Sequence, residues 1–206
     1  EWQREAWTSK DRRLKAAVVV PYEDAQASAR EIERVGHMKD YAQVFCLTRS
    51  SDPLGNRRYW PIYAAAQDHN LPVGFHVFGT SGHPVTGAGW PSYYIEEGAG
   101  GHSTSAQTVV TSLVMEGVFE QFPRLKVVII EGGFGWLPPL TWRLDKIFER
   151  NREELSHLKR RPSEYIRESI WVSTQPMEEP ENRHHLLDTL RWIGHDRLLF
   201  ASDYPH

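Results

Sequence analysis

The segment at residues 113–145 narrows the choice of fold more than any other part of this sequence. It reads LVMEGVFEQFPRLKVVIIEGGFGWLPPLTWRLD: a helical pattern, a turn, a short apolar run, then an acidic Gly-Gly turn that leads into a second helical pattern. Such a run is typical of a strand buried on both faces, and this one ends in Glu131. The segment LLFASDYPH at residues 198–206 repeats this order and places Asp203 after an apolar run. Strands that end in a carboxylate favour a parallel α/β enzyme, because the carboxyl edge of its sheet is the active-site face.

Strand-like runs alternate with helical patterns along the whole chain. The predicted strands are Ala16–Pro21, Val44–Leu47, Leu71–His76, Lys126–Ile130, Ser169–Ser173 and Arg197–Ser202. The predicted helices are Glu23–Val35, Tyr59–Asn70, Ser105–Phe122, Leu140–Leu158 and Glu181–Ile193, with Gly36 and Gly194 at two helix ends. The alternation predicts a parallel sheet with right-handed crossover helices.

A doubly wound open sheet and a (β/α)8 TIM barrel both have this alternation of strands and helices. No G-x-G-x-x-G motif follows the first strand, which disfavours a dinucleotide-binding version of the open sheet. A barrel requires eight strands and about 250 residues, so two strand–helix units would be missing from this chain. The absence of Met at Glu1 and the stop at His206, directly after a strand, also lead us to expect a domain truncated at both ends.

The length of 206 residues fits a single domain, residues 1–206, with a long loop insertion at 78–103 that is rich in Gly, Ser and Pro. A net charge of −3 without a basic stripe excludes a nucleic-acid partner. No apolar run approaches the ~20 residues that span a membrane. Cys46 is the only cysteine, so a disulfide framework is excluded and a cytoplasmic location is expected.

Three ionisable residues end three different predicted strands. His76 ends LPVGFH, Glu131 ends KVVIIE and Asp203 ends LLFASD. A parallel barrel would bring them to one rim, and histidine and carboxylate are ligands for Zn²⁺ and related ions. Each residue alone is equally well explained as a polar strand end that faces water, but three such ends favour a metal site.

Four weaker candidates are expected near the substrate. His102 lies in a Gly-Gly-His-Ser turn, His206 follows Asp203, and Trp90 and Trp136 lie in loops where aromatic rings can line a pocket. Solvent exposure, capping or plain packing explains each of them about as well. Cys46 has no partner motif, and no G-x-S-x-G elbow is present, so nucleophilic catalysis by Ser or Cys has little support.

The segments GVFEQFPRLKVVIIEGGFGWLPPLTWRLD and DRLLFASDYPH resemble the amidohydrolase-2 family, over roughly residues 15–206. These metal-dependent TIM-barrel enzymes include aminocarboxymuconate semialdehyde decarboxylase. The resemblance implies that the six strands are strands three to eight of the barrel. It places His76 on strand five and Asp203 on strand eight as metal ligands, and Glu131 on strand six.

The chain departs from the family pattern at two places. The family's His-x-His pair on strand one is absent, as expected if the first two units are missing. Glu131 stands where the family usually has a histidine, so it is expected to act as a metal ligand or an acid–base group.

These features predict a metal-dependent hydrolase that acts on a small carboxylate-bearing, cyclic or aromatic compound through a metal-activated water. Catalysis is assigned to Asp203 and Glu131, and the metal to His76, Asp203 and Glu131. Zinc is the expected ion, with manganese or magnesium as alternatives. A non-oxidative decarboxylase of the same family and a metal-free binding or scaffold barrel remain open, as does assembly into a homo-oligomer.

Overall fold

Six strands form one parallel sheet in the computed structural model, which describes residues 2–77 and 101–204. The strands are β1 (Ala16–Val19), β2 (Tyr41–Leu47), β3 (Val73–His76), β4 (Val127–Ile130), β5 (Ile170–Ser173) and β6 (Leu198–Leu199). They lie side by side in chain order, and every neighbouring pair is parallel. A doubly wound sheet reverses its strand order at a switch point, so the sequential order confirms barrel-type architecture.

Helices precede the first strand and connect each strand to the next. They are α1 (Trp2–Ala6), α2 (Ala25–Val35), α3 (Trp60–Asp68), α4 (Gly101–Met115), α5 (Val118–Gln121), α6 (Leu137–Arg150), α7 (Pro162–Ser169) and α8 (Arg183–Ile193). Within the described ranges, none of them is both long and apolar enough to cross a membrane.

The helix predicted at Ser105–Phe122 is two helices, α4 and α5. Gly117 separates them because its φ of 79° lies in the left-handed region, where a right-handed helix cannot continue. Helix α4 also begins earlier than predicted, at Gly101, so residues 101–103 belong to the helix and not to the predicted insertion at 78–103.

The prediction of one long helix at Leu140–Leu158 was wrong at both ends. Helix α6 begins at Leu137 because two prolines are accommodated in its first turn, where their missing N–H groups cost nothing. It ends at Arg150, and turns lead to α7, which was not predicted. Proline is again in the first turn of α7.

Gly36 ends α2 as predicted, but for a different physical reason. Its φ of −63° is an ordinary helical value, so the end is not a left-handed glycine cap. A Cβ atom on Gly36 would lie 2.7 Å from Cγ of His69, at the end of α3. Glycine is therefore needed here for close packing between the two helix ends.

The two faces of the central strands have different neighbours. Val73 and Phe75 of β3 are fully buried, as is Ile129 of β4, and all three belong to the core shared with the helices. Side chains alternate between faces along a strand, so Gly74 and His76 lie on the opposite face. That face is the barrel interior, and it places His76 inside the rim.

Candidate active site

His76 and Glu131 form a close pair at the carboxyl edge of the sheet. Nε2 of His76 lies 2.9 Å from Oε1 of Glu131. The two side chains are 18% and 26% exposed, so both are reachable from solvent and yet largely enclosed. The pair arises because β3 and β4 are neighbours in register, with His76 opposite Ile130, the residue before Glu131.

The backbone of Glu131 has a conformation that few residues other than glycine adopt. Its φ is 59°, in the left-handed region, which costs of order 1–3 kcal/mol and is concentrated at functional sites. Its backbone N–H donates to Oγ of Ser173 across a distance of 3.0 Å. The turn after β4 is thus held by the end of β5, and it directs Glu131 back toward His76.

The backbone of Asp203 is also in the left-handed region, with a φ of 56°. Its carboxylate oxygen Oδ2 accepts a hydrogen bond of 3.0 Å from Nε2 of Gln175. Gln175 follows β5, and its backbone carbonyl accepts from Oγ of Ser173, also at 3.0 Å. Ser173 and Gln175 therefore connect the backbone of Glu131 with the side chain of Asp203.

Sequence reasoning missed Ser173 and Gln175. The available signal was that the strand SIWVS also ends in polar residues, in the sequence STQP. Because neither residue is ionisable, a search for strand-end acids and histidines passes over them.

The three predicted metal ligands are divided between two contacts. The structure brings His76 together with Glu131, and Asp203 together with Gln175. Within residues 2–77 and 101–204, no three or more His, Cys, Asp or Glu side chains come together in a group able to hold a metal ion. The metal roles of these residues therefore remain predictions.

The His76–Glu131 pair nevertheless fits part of a coordination shell. An imidazole nitrogen and a carboxylate oxygen are both ligands that divalent ions accept in proteins. In this structure the two atoms are 2.9 Å apart, the distance of a direct hydrogen bond. Further ligands would have to come from Asp203, from residues outside the described ranges, or from water.

The weaker candidates have varied surroundings. Trp136 precedes α6, and its Nε1 donates to the carbonyl oxygen of Gly132 at 2.7 Å, so one function of this indole is to hold the turn after β4. His102 lies in the first turn of α4, where its carbonyl oxygen accepts from Oγ of Ser105. Trp90 and His206 lie outside the described residues. The substrate roles of all four stay predictions.

The turn after β4 also binds a carboxylate from the neighbouring loop. Oε2 of Glu178 is 3.5 Å from the amide nitrogen of Phe134 and 3.4 Å from that of Gly135. A cavity of about 370 Å³ lies beside this contact, lined by residues of the turn, the loop and α8, including Glu178 itself. His76, Glu131 and Asp203 are not among its lining residues. It is a separate space from the site at the rim.

Cys46 is excluded as a nucleophile. The side chain lies within β2 and the residue is 2% exposed. Burial raises the pKa of its thiol to about 12, so the reactive thiolate is absent at neutral pH.

Comparison with known proteins identifies similar enzymes. A gamma-resorcylate decarboxylase from Polaromonas sp. is 26% identical over an alignment of 209 positions, which covers 94% of this chain and 60% of the relative. This chain thus spans about three fifths of the length of that curated relative.

Solved structures share the fold. An amidohydrolase from Mycobacterium avium subsp. paratuberculosis matches with a TM-score of 0.79 and 27% identity, over 100% of this chain and 52% of its own. A dihydroxybenzoic acid decarboxylase from Polaromonas sp., which contains bound manganese and the inhibitor 2-nitroresorcinol, matches with a TM-score of 0.68 and 21% identity. That match covers 96% of this chain and 61% of the decarboxylase.

A family model covers the full sequence as well. The amidohydrolase model (Amidohydro_2) matches residues 1–206. The sequence motifs, the sequential parallel sheet and this match all agree, and the chain belongs to the amidohydrolase family.

Proposed function

We propose that this protein is a metal-dependent, non-oxidative decarboxylase of a small hydroxylated aromatic carboxylate. The observation that carries the proposal is the His76–Glu131 pair, a histidine and an acid–base group 2.9 Å apart at the active-site edge of an amidohydrolase barrel. The similarity to a gamma-resorcylate decarboxylase over 94% of the chain supports the reaction class. The relatives thus favour decarboxylation over the hydrolysis that the sequence alone put first.

Decarboxylation replaces a carboxylate by a proton. The bond between the ring carbon and the carboxylate carbon breaks, CO₂ leaves, and the electron pair of the bond stays on the ring carbon, which binds a proton. In its protonated form, Glu131 donates that proton. The carboxylate that results takes a proton from water for the next turnover. The hydrogen bond from the backbone of Glu131 to Ser173 keeps the side chain in place for this transfer.

His76 and Asp203 are the residues that would hold the divalent ion. Manganese becomes the first choice, because a solved decarboxylase of the same fold contains it. A bound divalent ion would supply positive charge that orients an anionic substrate. Nε2 of His76 faces Glu131, so the residue that would hold the ion lies beside the residue proposed as the acid–base group.

Hydrolysis remains the second candidate, and the identity of residue 131 favours it. Glutamate stands where the resemblance implies a histidine, and an ionised carboxylate is an acceptor that can take a proton from an attacking water. The two reactions differ in their use of water: hydrolysis puts a water oxygen into the product, whereas decarboxylation puts a water-derived hydrogen on carbon.

The test is product analysis with the full-length protein loaded with Mn²⁺. Incubation with 2,6-dihydroxybenzoate in D₂O is expected to release CO₂ and to give resorcinol with one deuterium on the ring, detected by mass spectrometry. The Glu131→Gln variant should release CO₂ about 10²-fold more slowly. Incubation in H₂¹⁸O of esters and amides of the same ring system reports hydrolysis.

Each outcome has a distinct meaning. Absence of CO₂ from a panel of ortho-hydroxybenzoates, together with ¹⁸O in the products of ester or amide substrates, would replace the decarboxylase by the hydrolase. Neither reaction, with no Mn²⁺ or Zn²⁺ bound after reconstitution, would instead support a metal-free binding barrel.

A further inference from the structure

Gln175 has a buried polar atom that the described part of the chain leaves without a hydrogen bond. Its carbonyl oxygen Oε1 is enclosed and has no partner there. At the other end of the same amide, Nε2 donates to Oδ2 of Asp203 at 3.0 Å. The opposite orientation would bring two acceptors together, because an ionised carboxylate can only accept. Contact with Asp203 therefore fixes which end of the amide is left unpaired.

The backbone around Gln175 is tied to both sides of the candidate site. Ser173 donates to the carbonyl oxygen of Gln175 and accepts from the backbone N–H of Glu131. Thr174 joins β5 to the segment that leads to Asp203. Its N–H donates to Leu199, and its Oγ1 lies 3.1 Å from the N–H and 3.3 Å from the carbonyl of Ala201. Gln175 thus projects from a backbone that is held on two sides.

An unpaired buried acceptor destabilises the folded state, and an apolar side chain of the same size would avoid that cost. A glutamine that served only to fill space would be a poor choice at this position. The amide does form one directed hydrogen bond, to the carboxylate of Asp203. The backbone of Asp203 is itself in the left-handed conformation. Ligands of a metal are commonly oriented by such a neighbour.

We propose that Gln175 is a positioning residue that holds the carboxylate of Asp203 in the orientation required for metal binding. This inference rests on the proposed function, in which Asp203 is a ligand of a divalent ion. In this role Gln175 acts through Asp203 and is not itself a ligand of the ion. Its presence lowers stability and raises metal affinity, and these opposite effects separate a positioning role from a structural one.

The experiment compares two glutamine-to-methionine variants of the full-length protein. Gln175→Met keeps the volume and removes both the N–H donor and the carbonyl acceptor of the side-chain amide. Gln67→Met is the matched control: Gln67 is also half-buried, but its Oε1 accepts from the N–H of Arg124 at 2.8 Å. Gln67 precedes the start of β3 and Arg124 the start of β4, at the opposite ends of these strands from His76 and Glu131. Thermal unfolding of the metal-free proteins, calorimetric titration with Mn²⁺, and kcat and KM are measured for both.

Gln175→Met is expected to keep or raise Tm, to weaken Mn²⁺ binding by about 10- to 100-fold, and to lower kcat more than it changes KM. Gln67→Met is expected to lower Tm and to leave Mn²⁺ binding unchanged. Gln175→Asn, which retains the amide on a shorter side chain, should recover part of the affinity.

Two results would overturn the inference in different ways. If Gln175→Met lowers Tm as the control does while Mn²⁺ affinity and kcat stay at the wild-type values, Gln175 is structural and the proposed function is unaffected. If the wild-type protein neither binds Mn²⁺ nor releases CO₂, the proposed function fails and the positioning role fails with it.

Discussion

The carboxylate of Glu178 occupies the space that a side chain on Gly133 would need. A Cβ atom at Gly133 would overlap Oε1 of Glu178, while Oε2 of the same carboxylate faces the amides of Phe134 and Gly135. The φ of Gly133 is 64°, so a side chain there is strained even without the overlap. Glycine at this position lets the loop after β5 lie against the turn that carries Glu131.

We expect Gly133→Ala to destabilise the protein by about 1–3 kcal/mol, because alanine is strained at a positive φ and Glu178 would have to give up the turn amides. Urea unfolding measures the change. Gly135→Ala is the control, since a Cβ atom there would lie at an ordinary distance of 3.5 Å from Glu178. Equal stability of the two alanine variants would contradict the role assigned to Gly133.

We expect Glu131→Gln to keep the fold and to lower turnover by about 10²-fold, the effect of losing an acid–base group. Glutamine has the same shape, and the bond from the backbone N–H of residue 131 to Ser173 remains. Circular dichroism and kcat measure the two effects. Glu179→Gln, at an exposed position in the loop after β5, is the control. Unchanged turnover would show that the side chain of Glu131 has no acid–base role and that the residue serves only in the turn after β4.

We expect Asp203→Ala to abolish activity and to weaken metal binding strongly, because it withdraws a charged ligand. Elemental analysis and calorimetric titration with Mn²⁺ measure the second effect. Asp196→Ala is the control, since Asp196 precedes β6 and lies at the opposite end of that strand. Full activity in both Asp203→Ala and Glu131→Gln would contradict the predicted metal site at the carboxyl edge of the sheet.

We expect Cys46 to make the protein less stable at alkaline pH. Burial raises the pKa of its thiol to about 12, whereas an unfolded cysteine has a pKa of about 8.5. Above about pH 8.5 the unfolded chain releases a proton that the folded chain keeps, so stability falls as pH rises through the window between these two pKa values.

Cys46→Ala removes this effect. Between about pH 7.5 and pH 9.5, the free energy of unfolding of the wild type should fall by about 1.4 kcal/mol more than that of the variant. Urea unfolding at the two pH values measures it. Burial also raises the pKa of Tyr63. Because Tyr63 is present in both the wild type and the variant, its contribution cancels in the difference between them. Parallel pH profiles would show that the thiol ionises in the folded state.

The sheet could be predicted from sequence because each central strand is a short apolar run with a polar end. For the same reason His76 and Glu131 could be expected at one edge, and the structure places them in contact. Helix ends were harder to predict. The break at Gly117 depends on a left-handed backbone, and apolar periodicity continues through it.

The position of Asp203 could not be predicted in detail. Its strand, β6, covers only Leu198–Leu199. Beyond it, the backbone of Ala201 forms hydrogen bonds with the side chain of Thr174 in place of backbone bonds to β5. The bond between Gln175 and Asp203 joins a neutral side chain to a strand-end acid. Such contacts depend on local backbone geometry, which cannot be inferred from the chemical type of each residue.

The sequential strand order has a consequence for how the protein folds. Strand β1 pairs with β2 through residues such as Ala16 and Tyr41, which are close along the chain, whereas β3 pairs with β4 through Val73 and Val127, roughly twice as far apart. Each doubling of a closed loop costs about 0.6 kcal/mol of chain entropy, and distant pairings slow folding. The contact between His76 and Glu131 depends on the pairing of β3 with β4, the more distant of these two pairings along the chain. Catalytic competence should therefore be acquired after the more local pairings have formed.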